Sequence, residues 1–377
     1  AAATGNQQIL ELLIQNDADF NSECKEYGNA LHVAMEKGHT SGVNTLVKLG
    51  LSAQFQSQSR WRNFLHQAGR PSNDPVREAF GSDDTQMVET FLGRFRDVRY
   101  HEDALRIASG VGKHSIVLAL LDFGANLDAC SLALPSAAHG GYKEIVRLLL
   151  DRGANINAFC EGSDSMGTAL QVASGDGYET MVRMLLDRGA DVNVLGGCYG
   201  TALQAASTIG HEAIVRMLLD GGADVNVLGG HYGTALQTAS ENGHEAIVRI
   251  LLDAGADINA SSGIMRTALY AASENGHEAI VRFLLDHDAD VNHLRSWKPL
   301  HAALCRGYAE IVSLLLEYGA DMNVSSESYP NALAAAEACR DEQKRAACKQ
   351  ILLDEKRKRQ PEPYLVWVDG IAYFNCQ

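Results

Sequence analysis

Residues 201–226 read Thr201-Ala-Leu-Gln-Ala-Ala-Ser-Thr-Ile-Gly-His-Glu-Ala-Ile-Val-Arg-Met-Leu-Leu-Asp-Gly-Gly-Ala-Asp-Val-Asn226, and residues 234–259 repeat that stretch almost unchanged. The opening Thr-Ala-Leu recurs at Thr168, Thr201, Thr234 and Thr267, at intervals of 33 residues, and a glycine follows each nine residues on. One copy can be read physically. Thr201 suits an N-cap, and Gln204 three residues later completes a capping box. Gly210 supplies the positive φ that ends this short helix. Ile214, Val215, Leu218 and Leu219 form one apolar stripe on a second helix, with Glu212, Arg216 and Asp220 toward water. Gly222 stops that helix, and Ala223-Asp224-Val225-Asn226 turns outward. So short a pair cannot bury its apolar face alone, so neighbouring pairs must stack.

Working outward, Lys298-Pro-Leu-His-Ala-Ala nearly spells Thr-Pro-Leu-His-x-Ala, and Gly-His-Glu recurs at 210, 243 and 276. On these residues the chain resembles the ankyrin-repeat family, from about Gly5 to about Asp354. The Thr-Ala-Leu-Gln variant followed by Val-Arg-x-Leu-Leu-Asp is similar in style to the long ankyrin arrays of filamentous fungi, which often sit behind signalling NTPase modules. The resemblance implies an all-α ankyrin-repeat solenoid of about ten helix-turn-helix units with finger loops. It also implies a protein partner gripped by finger tips and the first-helix face, on a concave surface.

Departures from the template set the expected boundaries. Residues 1–354 read as the solenoid, opening with a half-repeat at 1–21. Full units start at Asn29, Asn63, Asp103 and Leu132, then at 168, 201, 234 and 267, and finally at Lys298 and Asn331. Residues 55–102 form an irregular repeat whose insertion carries Pro71 and Pro75. Residues 331–354 read as a C-terminal cap, because Arg340 replaces the central glycine and Asp341–Arg345 is strongly polar. Residues 355–363 read as a basic, Pro-containing linker, and 364–377 as a tail whose Asp369-Gly370 closes a short β-hairpin. An isolated hairpin is marginal in water, so this one is expected to dock on the array or belong to a following module.

Composition removes several function classes. Lys plus Arg is 32 against 47 Asp plus Glu, a net charge of −15, which leaves little charge to hold nucleic acid or an anionic membrane. No apolar run reaches the ~18 residues of a membrane span, and the first residues show neither a basic segment nor an apolar one, so no signal peptide is expected. The missing initiator Met reads as a fragment or processed product. Eight cysteines, none in C-x-x-C, read as reduced thiols. The expected location is cytoplasmic, with a nuclear route open through the basic run Lys356–Arg359, which equally suits a helix end.

Catalytic and metal motifs are missing from the pattern. Histidines 39, 211, 244 and 277 share one repeat slot, and His32, His66 and His301 share another, which marks a scaffold role, and no Cys/His set has zinc spacing. Cys198 and His231 occupy equivalent slots of adjacent units, too far apart for a nucleophile and its base. No phosphate-binding or nucleophile-elbow motif is present, so no enzyme, cofactor or metal is expected. The finger slots and the residues beside them carry Trp61, Tyr199, Tyr232, Met265, Arg266, Trp297 and Tyr329, types enriched at the centres of protein interfaces. Two roles fit this column: a partner-facing row, or rings packed finger on finger. The residues just before the central glycine also vary from unit to unit (Thr208-Ile209, Glu241-Asn242, Cys305-Arg306). Such variation suits a surface that reads a partner, and equally an unconstrained solvent face. A second reading places an enzyme or small-molecule pocket in the irregular N-terminal third, around Trp61, His66, Arg94, Arg96, Tyr100 and His101. The hairpin is a further candidate to occupy the groove itself.

Overall fold

The computed structural model describes residues 98–122, 124–127, 132–159, 167–229, 233–261, 267–293, 298–323, 325–326, 328–359, 365–368 and 371–374. The helices are α1 (Val98–Gly110), α2 (His114–Asp122), α3 (Ala133–His139), α4 (Lys143–Asp151), α5 (Ala169–Gly175), α6 (Glu179–Asp187), α7 (Ala202–Ile209) and α8 (Glu212–Asp220). They continue as α9 (Ala235–Glu241), α10 (Glu245–Asp253), α11 (Ala268–Asn275), α12 (Glu278–Asp286), α13 (Pro299–Arg306), α14 (Ala309–Glu317), α15 (Ala332–Glu337) and α16 (Glu342–Arg359). Strands β1 (Leu365–Val368) and β2 (Ile371–Phe374) pair antiparallel, from Leu365 opposite Phe374 to Val368 opposite Ile371. The chain divides into two compact units, residues 1–191 and 192–377. The half-repeat and the units starting at Asn29 and Asn63, with the insertion, lie outside the described residues.

Each first helix starts as its sequence dictates. The Thr201 side chain accepts from the Gln204 N–H at 3.2 Å, and Gln204 Oε1 accepts from the Thr201 N–H at 2.7 Å. The same reciprocal pair forms at Thr168/Gln171 and Thr234/Gln237. Gly200 precedes the cap at φ 92, where a Cβ would collide with Gln204 Oε1, so the capping box excludes any larger residue. Gly210 ends α7 at φ 105, as positive φ requires. The second helices bury most of the expected stripe, Ile214, Val215 and Leu218 in α8 with Leu219 half-buried, and turn Glu212 and Arg216 to water as an exposed pair at 2.9 Å. Exposed pairs of this kind contribute little, so burial of the stripe is what holds α8.

Stacking within each unit uses side chains that reach one repeat further on. In the second unit, Gln204 Nε2 donates to the carbonyls of Val227, Gly229 and Gly233 in the next finger. Asn226 Oδ1 accepts the Asp257 N–H at 2.8 Å while its Nδ2 donates to the Gly255 carbonyl at 3.2 Å. Asn193 bridges likewise to Asp224 and Gly222, and Asn292 to Asp321 and Gly319. In the first unit Asn157 accepts from the Asp191 N–H. The histidines of the Gly-His slot also point backward along the stack: His244 Nε2 lies 3.1 Å from the Thr208 carbonyl, and His277 Nε2 lies 3.0 Å from that of Glu241. Tyr178 fills the same slot in the first unit, its ring packed against Gly141.

Two boundaries differ from the sequence reading. Helix α1 begins at Val98, before the expected start at Asp103. The linker expected from residue 355 begins helical: α16 runs to Arg359, whose guanidinium donates to the carbonyls of Leu316 and Ala320 at the end of α14. The basic run therefore sits on the last helical turn, where cations oppose the negative end of the dipole. In the cap, Lys349 stands where the preceding second helices bury valine, and it pairs with Glu337 of α15 at 3.1 Å.

Two substitutions separate these contributions by sign. Asn226→Ala removes both bridging hydrogen bonds and should lower unfolding free energy by about 1–2 kcal/mol in urea titrations. Ser207→Ala should raise it by about 1 kcal/mol, because the Ser207 hydroxyl is buried without a partner and alanine favours helix. Ser273→Ala provides the control without gain, since that hydroxyl donates to the Leu269 carbonyl at 2.7 Å.

Candidate protein-binding face

The finger loops and first helices hold the candidate residues. Of the column expected to meet a partner, Tyr199 and Tyr329 are described; Trp61, Tyr232, Met265, Arg266 and Trp297 lie outside the described residues, as do His231 and most of the proposed N-terminal pocket. Tyr199 sits half-buried between Gly196 and Gly200, which form an antiparallel bridge across the finger. Tyr329 is half-buried as well, packing edge-on against His301 with centroids 6.2 Å apart. It also hydrogen-bonds Cys305. The Tyr329 ring thus packs on a first helix, not on the next finger, and lines an open cavity.

The same face exposes Ile209, one of the varying residues before the central glycine, and two leucines absent from the expected set. Leu195 and Leu228 occupy equivalent positions in successive fingers and are 51% and 49% exposed, and Ile209 at the end of α7 is 46% exposed. The signal of the two leucines was the repeat itself, an apolar residue returning after 33 positions in a loop. Alternation and helical periodicity do not register it, because neither applies to a finger.

The cavity, of about 550 Å³, opens where the Thr–Gln template lapses, between α11, α13 and the cap. Lys298 replaces threonine at the N-cap and makes no side-chain cap bond; its amine donates instead to the Asn292 carbonyl at 2.7 Å. Burial pulls the Lys298 amine below its ordinary range, opposed by Asp290 and Asp321. His301 replaces glutamine three residues later and is buried. Its Nδ1 lies 2.9 Å from Ser326 Oγ. The Ser326 hydroxyl also accepts the Tyr329 N–H at 3.1 Å, and the Ser326 N–H donates to the Tyr329 carbonyl at 2.8 Å. His301 Nε2 is buried with no hydrogen-bond partner. Burial first, and the Lys298 charge second, lower the His301 pKa to about 4.

Nearby thiols are kept protonated. Burial, above all, pushes Cys305 up, and pushes Cys348 up to about 11. Such thiols are poor nucleophiles at neutral pH. Cys198, Cys305, Cys339 and Cys348 are all unbridged. Among the described residues, no group of three or more His, Cys, Asp or Glu side chains could hold a metal ion, and no helix is long and apolar enough to cross a membrane.

A model of ankyrin repeats, three copies long, matches residues 105–196, 170–262 and 261–326, together more than half of the chain. The chain belongs to the ankyrin-repeat family. Among solved structures, the crystal structure of the human ASB11 ankyrin repeat domain is similar, with a TM-score of 0.51 and 27% sequence identity over 58% of this chain and 96% of that one. No curated protein matches the chain. Ankyrin repeats generally serve as protein–protein interaction modules and are typically non-enzymatic.

The histidine gives the ankyrin array a specific pH signature. Unfolded His301 takes up a proton near pH 6.5 but the folded form only near pH 4. Across that window the unfolded chain binds more protons, so stability falls as pH drops from about 6.5 to about 4 and levels off below. The full contribution is about 3 kcal/mol. Urea unfolding of His301→Gln should show a shallower decline over this window than the unsubstituted chain, and NMR should place the His301 titration near pH 4.

Proposed function

We propose that this chain is a non-enzymatic scaffold that binds a partner protein through its finger and first-helix surface. The observation that carries the reading is the cavity between α11, α13 and the cap, which opens on the first-helix face and is lined by Tyr270, His301 and the finger residue Tyr329. Rigid stacked helices hold such side chains in place before binding, which reduces the entropy lost on association. Leu195, Leu228 and Ile209 extend apolar contact surface along the fingers of the same unit. Aromatic anchors among otherwise weak contacts are how protein interfaces concentrate affinity. We place Trp61, Tyr199, Tyr232, Met265, Arg266, Trp297 and Tyr329 among the contact residues. The C-terminal strand pair is proposed as an intramolecular occupant that competes with the partner.

Affinity purification followed by mass spectrometry identifies the partner. The double substitution Tyr199→Ala, Tyr232→Ala should then weaken that partner's binding at least tenfold, with a melting temperature within about 3 °C of the unsubstituted chain. Unchanged affinity in the folded variant would sink this reading.

A further inference from the structure

We infer that the cavity between α11, α13 and the cap receives one carboxylate side chain, an Asp or Glu of the partner protein, held by the guanidinium groups of Arg306 and Arg340. This deepens the scaffold reading and rests on it. At about 550 Å³ the cavity falls within the roughly 300–1,000 Å³ of ordinary ligand pockets, enough to admit a side chain with some flanking chain.

The repeats themselves show why cations gather here. The residue before the central glycine is Asp176, Ile209, Asn242 and Asn275 in successive units, and Arg306 in the unit that opens at Lys298. The central glycine itself, Gly177, Gly210, Gly243, Gly276 and Gly307, becomes Arg340 in the cap. Cys339 and Lys344 of the cap pack over Gly307, where an added Cβ would lie 3.0 Å from Cys339 Sγ, and this contact brings Arg340 to the end of α13 beside Arg306. Both guanidinium groups line the cavity and both are exposed, so an entering side chain can reach them. Arg306 gives an N–H to Glu274 at 3.3 Å and keeps its other donors. Arg340 makes no hydrogen bond or ion pair among the described residues.

The charges select the class of occupant. Lys298 lines the cavity too, but it is buried, its amine donates to the Asn292 carbonyl, and Asp290 and Asp321 offset its charge. His301, with its pKa lowered to about 4, is neutral at pH 7. The two carboxylates on the lining are engaged, Glu274 with Arg306 and Asp341 with the N–H groups of Gln343 and Lys344. Arg340 is then the one lining cation without an opposing partner among the described residues, and a single negative charge matches it. A carboxylate also suits the planar fork of a guanidinium, which binds it by two parallel hydrogen bonds. The chain as a whole carries −15, which repels an extended polyanion such as nucleic acid. A lone carboxylate inside the cavity responds instead to charges within a Debye length, about 8 Å in physiological salt. The half-buried ring of Tyr329 gives its stem apolar contact.

The test pans a phage-displayed random peptide library on the full chain, then measures captured peptides against full-chain Arg306→Asn, Arg340→Gly and Arg340→Glu. The first two install residues that the regular units carry at these positions, as at Asn242 and Gly243. The expected result is a shared Asp or Glu in the captured peptides. Its replacement by alanine, and each of Arg306→Asn and Arg340→Gly, should weaken binding about tenfold at nearly unchanged melting temperature. Arg340→Glu should prefer the peptide whose acid is replaced by lysine, a reversal that a merely structural role would not produce. A shared basic or uncharged anchor, tighter binding when phosphoserine replaces the acid, or equal binding to the arginine variants by peptides that Tyr199→Ala still weakens, overturns the carboxylate site and leaves the scaffold reading standing. Peptides insensitive to both the arginine and the Tyr199 substitutions overturn the two together, and so does capture of no peptide.

Discussion

Every helix pair described in this chain is too short to stand alone, and the hydrogen bond from one pair to the next is the constraint on which the rest depends. Asn226 shows the device at its simplest: a side-chain carboxamide at the end of one repeat closes on two backbone groups that begin the turn of the next. Gln204 does the same at the finger, and His244 in the reverse direction along the first helices. Polar groups thus fix the register in which buried stripes such as Ile214, Val215 and Leu218 meet their neighbours. Apolar burial supplies most of the energy, but it is non-directional and would not by itself select one stacking offset.

Self-satisfaction of these polar groups separates the regular units from the end of the array. In the units that open at Thr201 and Thr234 the capping glutamine is paired at both ends of its carboxamide. Toward the cap the pattern lapses in adjacent places. Lys298 replaces threonine, His301 replaces glutamine, and α15 spans only Ala332–Glu337. A cavity and an unpartnered imidazole nitrogen appear together at that point, where the repeated hydrogen-bond scheme lapses.

Much of the fold was legible because its rules are local. The capping box at Thr201 and Gln204, the left-handed Gly210 and the stripe on α8 depend on residues within a few positions of one another, and spacing alone displays them. The basic run Lys356–Arg359 suited a helix end, but what anchors Arg359 there was not legible, because the carbonyls of Leu316 and Ala320 lie some forty residues earlier. Nor was the start of α1 at Val98, where no capping residue of the repeat announces it. Among the site residues, Tyr329 was visible as an aromatic in a finger slot, while His301 passed as an ordinary scaffold histidine.

By itself, the sequence determined the repeating unit, its helix stops and its family, since each is set by chemistry between near neighbours and restated every 33 residues. Only the tertiary structure decided which polar atoms are already paired. Gln204 and His301 occupy the same position in their repeats, yet one carboxamide reaches the next finger and one imidazole nitrogen reaches nothing. That difference lies in the distance between a side chain and a backbone carbonyl of another repeat, and no local pattern encodes it.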